Sequence, residues 1–349
     1  MEIAVLLSGG VDSSLALHLL REEGHALRAF YLKVWLEEEL SSLGDCPWEE
    51  DLRYARAVCS QAGVPLEVVA LQAEYLEKVV EHALDELRAG RTPSPDIHCN
   101  RRIKFGAFLK RVGGQFAKVA SGHYARLDQR GGQYCLLRAA DPVKDQTYFL
   151  SDLDQGQLGR VLFPIGHLAK REVRNLAARY GLPTQDRKDS QGICFLGRID
   201  YREFVKARLG ERPGPVIERG SGKKLGTHRG LWFHTIGQRH GLGLGGGPWF
   251  VVGKDLEADV LWVAHEAQEE ERLRHRFEVG RPHWIGEPPG EEVLEVKLRH
   301  GPQTTRCTLS PLEVGGLRVE LERPDPGVAP GQHAVFYQGQ VCLGGAVIA

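Results

Sequence analysis

The first half of the chain alternates short apolar runs with stretches whose apolar side chains recur at helical spacing. The predicted strands are residues 3–7, 26–32, 66–70 and 118–121. The predicted helices are a stretch that follows Gly10 and residues 49–62, 73–88, 103–112 and 169–180. Strands that alternate with helices in this way predict a doubly wound parallel sheet with helices on both faces.

From about residue 199 the pattern changes to short alternating runs separated by glycine and proline. The clearest runs are residues 293–298, 317–321, 333–337 and 341–348, which are typical of a small antiparallel barrel. We therefore predict an α/β parallel-sheet domain over 1–198, a small mixed or β central domain over 199–272, and a C-terminal antiparallel β-barrel over 273–349.

Composition narrows the class of protein. The 349 residues carry a formal net charge of −1, so global charge gives no argument for nucleic acid. The N-terminus enters a strand directly, and no apolar run approaches the ~20 residues that a membrane span needs. Seven scattered cysteines without a Cys-x-x-Cys pair favour a reducing cytoplasm over a disulfide scaffold.

The stretch from Ser8 to Ser14, Ser-Gly-Gly-Val-Asp-Ser-Ser, follows the first strand and precedes the first helix. Such a turn gathers backbone N–H groups at a helix N-terminus, which favours a phosphate group, and Asp12 adds a carboxylate for Mg²⁺. No Lys follows as in a Walker loop, and the Gly-x-Gly-x-x-Gly fingerprint is missing. The bland alternative is an ordinary Gly-Ser turn, which two glycines alone would favour.

A second informative stretch is Gly90–Asn100, where two prolines precede Cys99 and the basic run 101–105. We expect Cys99 at or near the N-terminus of a helix, where the helix dipole and neighbouring cations lower a thiol's pKa. Cys99 is therefore a candidate nucleophile, and the alternative is a buried structural cysteine. Cys194 lies in a Gly-flanked loop, and two placed thiols beside a phosphate site suggest sulfur chemistry.

Residues 219–254 hold six Lys or Arg and no Asp or Glu, with four Trp or Phe interleaved. Cations spaced with aromatics suit an RNA surface, where backbone charge and base stacking both contribute. The alternative is a solvated basic face.

The Ser8–Ser13 string resembles the PP-loop of the N-type ATP pyrophosphatases, which grips the β,γ-pyrophosphate of ATP. Taken with further motifs, it is similar over nearly the whole chain to the bacterial tRNA-specific 2-thiouridylases. The further motifs are Gly90–Phe105, Ser121–Tyr124, Lys144–Phe149, Asp189–Gly197, Thr235–Leu244 and Pro330–Tyr337.

This resemblance implies a set of binding residues. The ATP-binding positions would be Leu6, Leu7, Ser8, Gly9, Gly10, Val11, Asp12, Ser13, Leu32 and Gly122. The positions that meet the target base or the rest of the tRNA would be Ser94, Pro95, Asp96, His123, Lys144, Asp145, Gln146, Arg299, His300 and Gln332. Three of these depart from the family's common residues: Ser94 stands for Asn, His300 for Tyr and Leu32 for Met.

The resemblance also implies a reaction. The wobble uridine would be adenylated at O2 with release of pyrophosphate, and sulfur from a persulfide would then replace AMP. Cys99 would be the nucleophile, Cys194 the persulfide carrier, and the two would form a disulfide in one redox state. Asp12 would serve Mg²⁺ or the activated base. The implied cofactors are ATP and Mg²⁺, with none permanently bound; the implied partners are the tRNA anticodon stem-loop and a persulfide donor, either a relay protein or a cysteine desulfurase.

Three other functions stay open from the residues alone. One is another PP-loop enzyme that amidates its substrate or modifies a different tRNA position. A second is an RNA-binding protein whose loop only senses nucleotide. A third is a thiolase with an iron–sulfur cluster, for which two loop cysteines fall short of the usual four ligands.

Overall fold

The computed structural model describes residues 1–34, 48–188, 200–290, 293–313 and 315–349. In chain order its strands are β1 (Glu2–Leu6), β2 (Ala26–Lys33), β3 (Leu66–Ala70), β4 (Lys118–Ala120), β5 (Arg126–Arg130), β6 (Gln133–Leu137), β7 (Val161–Leu162), β8 (Gly214–Glu218), β9 (Lys224–His228), β10 (Trp249–Asp255), β11 (Val260–His265), β12 (Arg274–Val279), β13 (His283–Trp284), β14 (Leu294–Lys297), β15 (Thr305–Pro311), β16 (Leu317–Asp325), β17 (His333–Gln338) and β18 (Val341–Val347).

Two of the helices contain a π-helical segment. The helices are α1 (Val11–Glu22), α2 (Trp48–Ala62), α3 (residues 72–88, with π-helix Leu76–Val80), α4 (residues 95–112, with π-helix Cys99–Ala107), α5 (Thr147–Leu150), α6 (Gln155–Leu158), α7 (Lys170–Arg179), α8 (Tyr201–Leu209) and α9 (Glu269–Arg272), with a 3₁₀ turn at Leu231–Phe233. We call α4 the Cys99 helix below.

The first sheet is parallel, with strand order β3-β2-β1-β4-β7, as the alternating pattern predicts. Its central strand β1 is apolar throughout its buried part because both of its faces are covered. Ala4 and Leu6 join the core on one side of the sheet, and Ile3, Val5 and Leu7 join the core on the other. The carboxyl ends of β1 and β4 therefore meet at one edge.

The second sheet belongs to the central part of the chain and has the order β10-β11-β8-β9. Its pairing is mixed, because β11 and β8 run parallel while the other pairs are antiparallel. This agrees with the predicted small mixed or β domain.

The third sheet is antiparallel and forms the C-terminal barrel, in the order β12-β16-β15-β14-β17-β18-β6-β5. A bridge between Val279 and Ile348 brings the end of β12 next to β18. The sequence pattern predicts the barrel but gives no sign of the β5–β6 hairpin, which comes from the first half of the chain and pairs with β18. The hairpin ties the two halves of the molecule together.

Strand β17 lies between two hydrophobic cores. Val335 and Tyr337 pack into the core shared with the first half of the chain, whereas Ala334 and Phe336 pack into the barrel core. His333–Tyr337 is consequently buried without a break. The prediction of an alternating run at 333–337 is therefore wrong: residues 334–337 are all apolar, because both faces of the strand are covered.

No helix within the described residues is long and apolar enough to cross a membrane. The same residues contain no group of three or more His, Cys, Asp or Glu side chains arranged to hold a metal ion.

Candidate active site

The Ser8–Ser14 loop leads from the carboxyl end of β1 into α1 and is held by its own hydroxyl groups. Ser8 N donates to Ser13 Oγ at 3.2 Å. Ser13 Oγ and Ser14 Oγ donate to Gly10 O at 3.1 and 2.8 Å. Gly10 occupies the N-cap of α1 and has no side chain to accept from the first turn. The N–H groups of that turn are therefore left for an anion, which the helix dipole favours.

Two glycines allow backbone segments to approach this loop closely. Gly9 has φ +76°, and a Cβ there would overlap the carbonyl oxygen of Asp51. At Gly122, in the turn after β4, a Cβ would lie 2.5 Å from Ser13 N. The turn after β4 thus packs directly on the start of α1. The ends of β1 and β4 therefore lie next to each other through their backbones.

Asp12 is the centre of a charged group at the start of α1. Its Oδ1 accepts from the hydroxyl of Tyr124 at 2.8 Å, and Lys170 Nζ lies 2.8 and 2.9 Å from its two carboxylate oxygens. Lys170 opens α7, so this ammonium comes from an element far along the chain. A carboxylate and an ammonium beside helix N–H groups are the donor set that a metal-bound polyphosphate needs.

A second cation stands on the other side of the loop. Arg187 Nη1 donates to Gly9 O at 2.7 Å, its guanidinium pairs with Asp51, and it lies 4.6 Å from the ring centre of Tyr54. Neither Lys170 nor Arg187 is near the loop in sequence, and sequence analysis missed both.

The Cys99 helix begins at Pro95, eight residues before the predicted helix over 103–112 and four residues before Cys99. Ser94 is its N-cap and Pro95 its first residue, a position where the missing N–H of proline costs nothing. Cys99 is therefore the fifth residue of the helix, at the start of the π-helical segment, and only 2% of it is exposed. It packs in the same core as Leu6. The expected cation neighbours, Arg101 and Arg102, follow it within the same turn.

Three histidine rings meet beside Cys99. His98 lies 4.4 Å from His82 and 5.9 Å from His333, measured between ring centres. Burial lowers the pKa of His98 to about 3, and burial also lowers the pKa of His82 and of His333. All three imidazoles are therefore neutral at physiological pH. They join α3, the Cys99 helix and β17 without adding charge to the site.

The Lys144–Gln146 segment is largely built into the fold. Asp145 is 3% exposed and accepts from Ala139 N at 3.1 Å and from Thr147 Oγ1 at 2.9 Å. Lys297 Nζ, 2% exposed, lies 2.8 Å from Asp145 Oδ2. Gln146 Oε1 accepts from Tyr124 N at 2.9 Å. The segment braces the turn after β4 against the barrel. The side chains of Asp145 and Gln146 are engaged within the protein, and Lys144 is partly exposed.

The remaining predicted tRNA positions lie in three places. His123 Nδ1 is 2.8 Å from Ser121 Oγ, and burial sets the pKa of His123 well below its usual value. Its ring lies 5.9 Å from that of Phe105, which connects the turn after β4 to the Cys99 helix. His300 stacks on Phe149 with ring centres 4.7 Å apart and 19° between the planes.

Arg299 and Gln332 occupy the barrel side of the molecule. Arg299 pairs with Asp325 at 2.6 Å, and Gln332 O accepts from Ile348 N at 2.8 Å. Asp96 stands in the first turn of the Cys99 helix, and Leu32 is near the carboxyl end of β2, partly buried against the shared core.

The basic central stretch is not exposed throughout. Lys254 Nζ donates to Gly90 O at 2.9 Å, and burial lowers the pKa of Lys254 to about 8. Phe250 is buried, whereas Trp232, Phe233 and Trp249 are partly exposed. The surface that can meet RNA is therefore smaller than the sequence count of six cations suggests.

The predicted persulfide carrier, Cys194, lies outside the described residues, together with its motif at 189–197. The pairing with Cys99 stays a prediction. The described site therefore joins the Ser8–Ser14 loop, the turn after β4 and the Cys99 helix.

Comparison with known proteins places the whole chain in one family. A family model described as the tRNA methyl transferase HUP domain matches residues 1–198. The models of its PRC-barrel domain and of an aminomethyltransferase β-barrel domain match residues 202–265 and 274–348.

Curated relatives match along their full length. A protein of Bacteroides thetaiotaomicron named tRNA-specific 2-thiouridylase MnmA 1 is 47% identical over 355 residues, covering 100% of this chain and 99% of the relative. The tRNA-specific 2-thiouridylases MnmA of Porphyromonas gingivalis and Parabacteroides distasonis are 44% and 43% identical, each covering 100% of this chain and 99% of the relative.

Proposed function

Because the chain belongs to the family of the tRNA-specific 2-thiouridylases, we propose that it replaces O2 of the wobble uridine of tRNA by sulfur in an ATP-dependent reaction. The observation that carries the proposal is the match to named 2-thiouridylases over the full chain, together with the loop geometry that suits a polyphosphate. We assign adenylation to residues 1–198, tRNA contact to 199–272 and the barrel to 273–349.

In the first stage, O2 of the uridine attacks the α-phosphorus of ATP, and pyrophosphate leaves. The backbone N–H groups at the start of α1 receive the phosphate oxygens, and Leu6–Ser13, Leu32 and Gly122 surround the nucleotide. Lys170 and Arg187 flank the loop. They supply positive charge where negative charge develops on the leaving pyrophosphate. Mg²⁺, when bound, offsets the charge of the phosphates, and Asp12 is the carboxylate that would hold it.

In the second stage, sulfur replaces AMP at carbon 2. A donor protein leaves a persulfide on Cys194, and its outer sulfur reaches carbon 2 by one of two routes. In the direct route the outer sulfur attacks carbon 2 and AMP leaves; the Cys99 thiolate then attacks the Cys194 sulfur of the Cys194–S–S–uridine linkage, which releases 2-thiouridine and forms the Cys99–Cys194 disulfide. In the second route, the Cys99 thiolate attacks the inner sulfur of the persulfide. Hydrosulfide leaves, a Cys99–Cys194 disulfide forms, and an external thiol must reduce it before the next cycle. Ser94, Pro95 and Asp96, one turn before Cys99, would orient the base.

The rest of the tRNA would contact the turn after β4 through His123, the 144–146 segment, and Arg299, His300 and Gln332. Because Asp145 is buried and Lys144 is partly exposed, we assign direct contact in that segment to Lys144, Gln146 and backbone groups. The exposed part of the basic central stretch would meet the phosphate backbone. The donor is a persulfide relay protein or a cysteine desulfurase, and the reaction would take place in the cytoplasm.

The proposal is tested by mass spectrometry of nucleosides from tRNA incubated with the protein, ATP, Mg²⁺ and a persulfide donor. We expect 2-thiouridine at the wobble position only when both ATP and the donor are present. The Cys194→Ser variant should bind tRNA normally and give no 2-thiouridine. A methylated nucleoside made with a methyl donor, or 2-thiouridine at full yield from Cys194→Ser, would contradict the proposal.

A further inference from the structure

The Cys99 helix is held from outside by residues 149–157, which run from α5 to α6. Asn100 Nδ2 donates to Phe149 O at 3.0 Å, and Arg101 Nη1 pairs with Asp152 at 3.1 Å. Gln157 makes the third attachment and is the only one of the three that binds the helix backbone in the described part of the chain. The first two contacts use side chains of the helix, which leaves its hydrogen-bonding ladder unchanged.

Gln157 places both of its amide hydrogens on the π-helical segment. Its Nε2 donates to Arg101 O at 2.9 Å and to Phe105 O at 2.7 Å, two carbonyls that are four residues apart. The segment is wide because its N–H groups reach back five residues, as from Phe108 to Ile103 O. A side chain that enters the ladder in this way is a recognised cause of local distortion in a helix, and π-helical segments occur often at functional sites.

The amide itself is held in place. Gln157 Oε1 accepts from Asp154 N at 3.1 Å, and Gln157 N donates to Asp154 Oδ1 at 2.8 Å, which completes a capping box at the start of α6. All of the hydrogen-bonding groups of the side chain are therefore used, and its orientation is fixed.

Gly106 is independent evidence that the sequence favours the widened turn at this place. A Cβ at Gly106 would lie 2.6 Å from Arg101 O, the same carbonyl that Gln157 binds. The wide turn therefore needs both a glycine at 106 and a donor from outside the helix. Cys99 stands at the start of this turn, two residues before Arg101.

We propose that Gln157 is a positioning residue that holds the π-helical turn and thereby fixes the Cys99 side chain toward the reacting base. The proposal rests on the role assigned to Cys99 above. It makes no claim that Gln157 contacts substrate. When the amide is lost, the turn opens more often, and Cys99 spends less time in its reactive position.

The chain offers a matched control in the same four-residue helix. Gln155 Nε2 donates to Tyr134 O at 2.8 Å and to Ile285 O at 2.7 Å, and its Oε1 accepts from Tyr134 N at 2.8 Å. It therefore has the same chemistry and the same number of contacts as Gln157, but it binds β6 and the barrel side in place of the Cys99 helix. Replacing either glutamine by methionine removes an amide and keeps the side-chain length.

The readout is the alkylation rate of Cys99 relative to that of Cys59, measured peptide by peptide in the intact protein. Both thiols are buried, and Cys59 belongs to α2 on the other face of the parallel sheet. Global unfolding exposes both, whereas opening of the π-helical turn exposes only Cys99. For Gln157→Met we expect this ratio to rise about tenfold, because the two hydrogen bonds to the backbone of the Cys99 helix are lost. For Gln155→Met we expect no change.

The same variants are then compared in thiolation. Gln157→Met should lower kcat and leave KM for tRNA unchanged, while Gln155→Met keeps both. A wild-type ratio of Cys99 to Cys59 alkylation in Gln157→Met, or an equal rise of that ratio in Gln155→Met, would overturn the proposal. Because the alkylation ratio does not depend on turnover, a failure of the proposed function would show in the nucleoside assay alone and leave this test readable.

Discussion

The Ser8–Ser14 loop and the Cys99 helix meet at the same edge of the parallel sheet but are held in opposite ways. The loop backbone is held from within: Ser8, Gly10, Ser13 and Ser14 hydrogen-bond one another within seven residues. The Cys99 helix depends on residues about fifty positions away, through Asn100, Arg101 and Gln157. The contrast indicates that the shape of the loop is built from local chemistry, while its flanking cations and the placement of the thiol depend on how the whole molecule is assembled.

The largest expected effect comes from breaking the attachment of residues 145–157 to the barrel. Lys297→Met leaves the Asp145 carboxylate buried without its cation, which we expect to cost about 3–5 kcal/mol of the free energy of unfolding. Urea denaturation measures this. Cys99 should become alkylated at lower urea concentration than Cys59 does, since the helix is held through that segment.

A paired change serves as the control for that prediction. The double variant Asp145→Asn with Lys297→Met removes both charges and should recover a large part of the lost stability. A loss below about 1 kcal/mol in Lys297→Met would mean that the pair does not brace the two halves of the chain.

The same contrast decides what could be predicted from the sequence. The parallel sheet, the barrel and the loop follow from periodicity and from a contiguous motif, because the interactions that form them lie within or between adjacent elements. Lys170 and Arg187 reach the loop across 158 and 178 residues, and no local pattern marks them. The β5–β6 hairpin was missed for a similar reason, since β5 is polar and mostly exposed, and pairing with β18 explains the position of the hairpin.

Cys99 illustrates the limit of a local interpretation. The prolines before it indicate an extended segment, but the helix already starts at Pro95, eight residues before the predicted start at 103. The sequence gives no sign of the π-helical segment, because its geometry depends on Gly106 and on the amide of Gln157 from another element. The burial of Asp145 could not be predicted from its neighbours in sequence either, because its partner Lys297 belongs to the barrel.

The next prediction disturbs the Ser8–Ser14 loop and leaves the Cys99 helix unchanged. Gly122→Ala would drive a methyl group to within 2.5 Å of Ser13 N and displace the start of α1. We expect ATP affinity to fall by about tenfold to about 100-fold, since overpacking of this kind costs about 1–3 kcal/mol. Calorimetric titration with ATP measures the loss.

The matched variant is Gly114→Ala, where a Cβ meets nothing within 4 Å. It should bind ATP as the wild type does, and Cys99 alkylation should be unchanged in both variants. Normal ATP affinity in Gly122→Ala would mean that the turn after β4 is not part of the nucleotide site.

A smaller effect concerns acid. Burial lowers the pKa of His98 from 6.5 to about 3, so the unfolded chain binds this proton more readily than the folded chain does. Stability from the neutral imidazole is full above pH 6.5 and is lost as the pH falls toward 3. His98→Leu should therefore reduce the acid-induced loss of unfolding free energy, by on the order of 2 kcal/mol.

Unfolding free energies measured at neutral and at acid pH provide the comparison, with His240→Gln, an exposed position, as the control. The control should retain the full loss. An equal loss in His98→Leu and wild type would show that the histidine cluster beside Cys99 does not contribute to acid sensitivity.

We propose that the loop and the Cys99 helix perform separable stages of one reaction. The direct test measures tRNA-dependent release of pyrophosphate and formation of 2-thiouridine in the same reaction mixture, for wild type and for Cys99→Ser. We expect Cys99→Ser to release pyrophosphate when tRNA and ATP are present and to form no 2-thiouridine. Loss of both products, or retention of both, would contradict it.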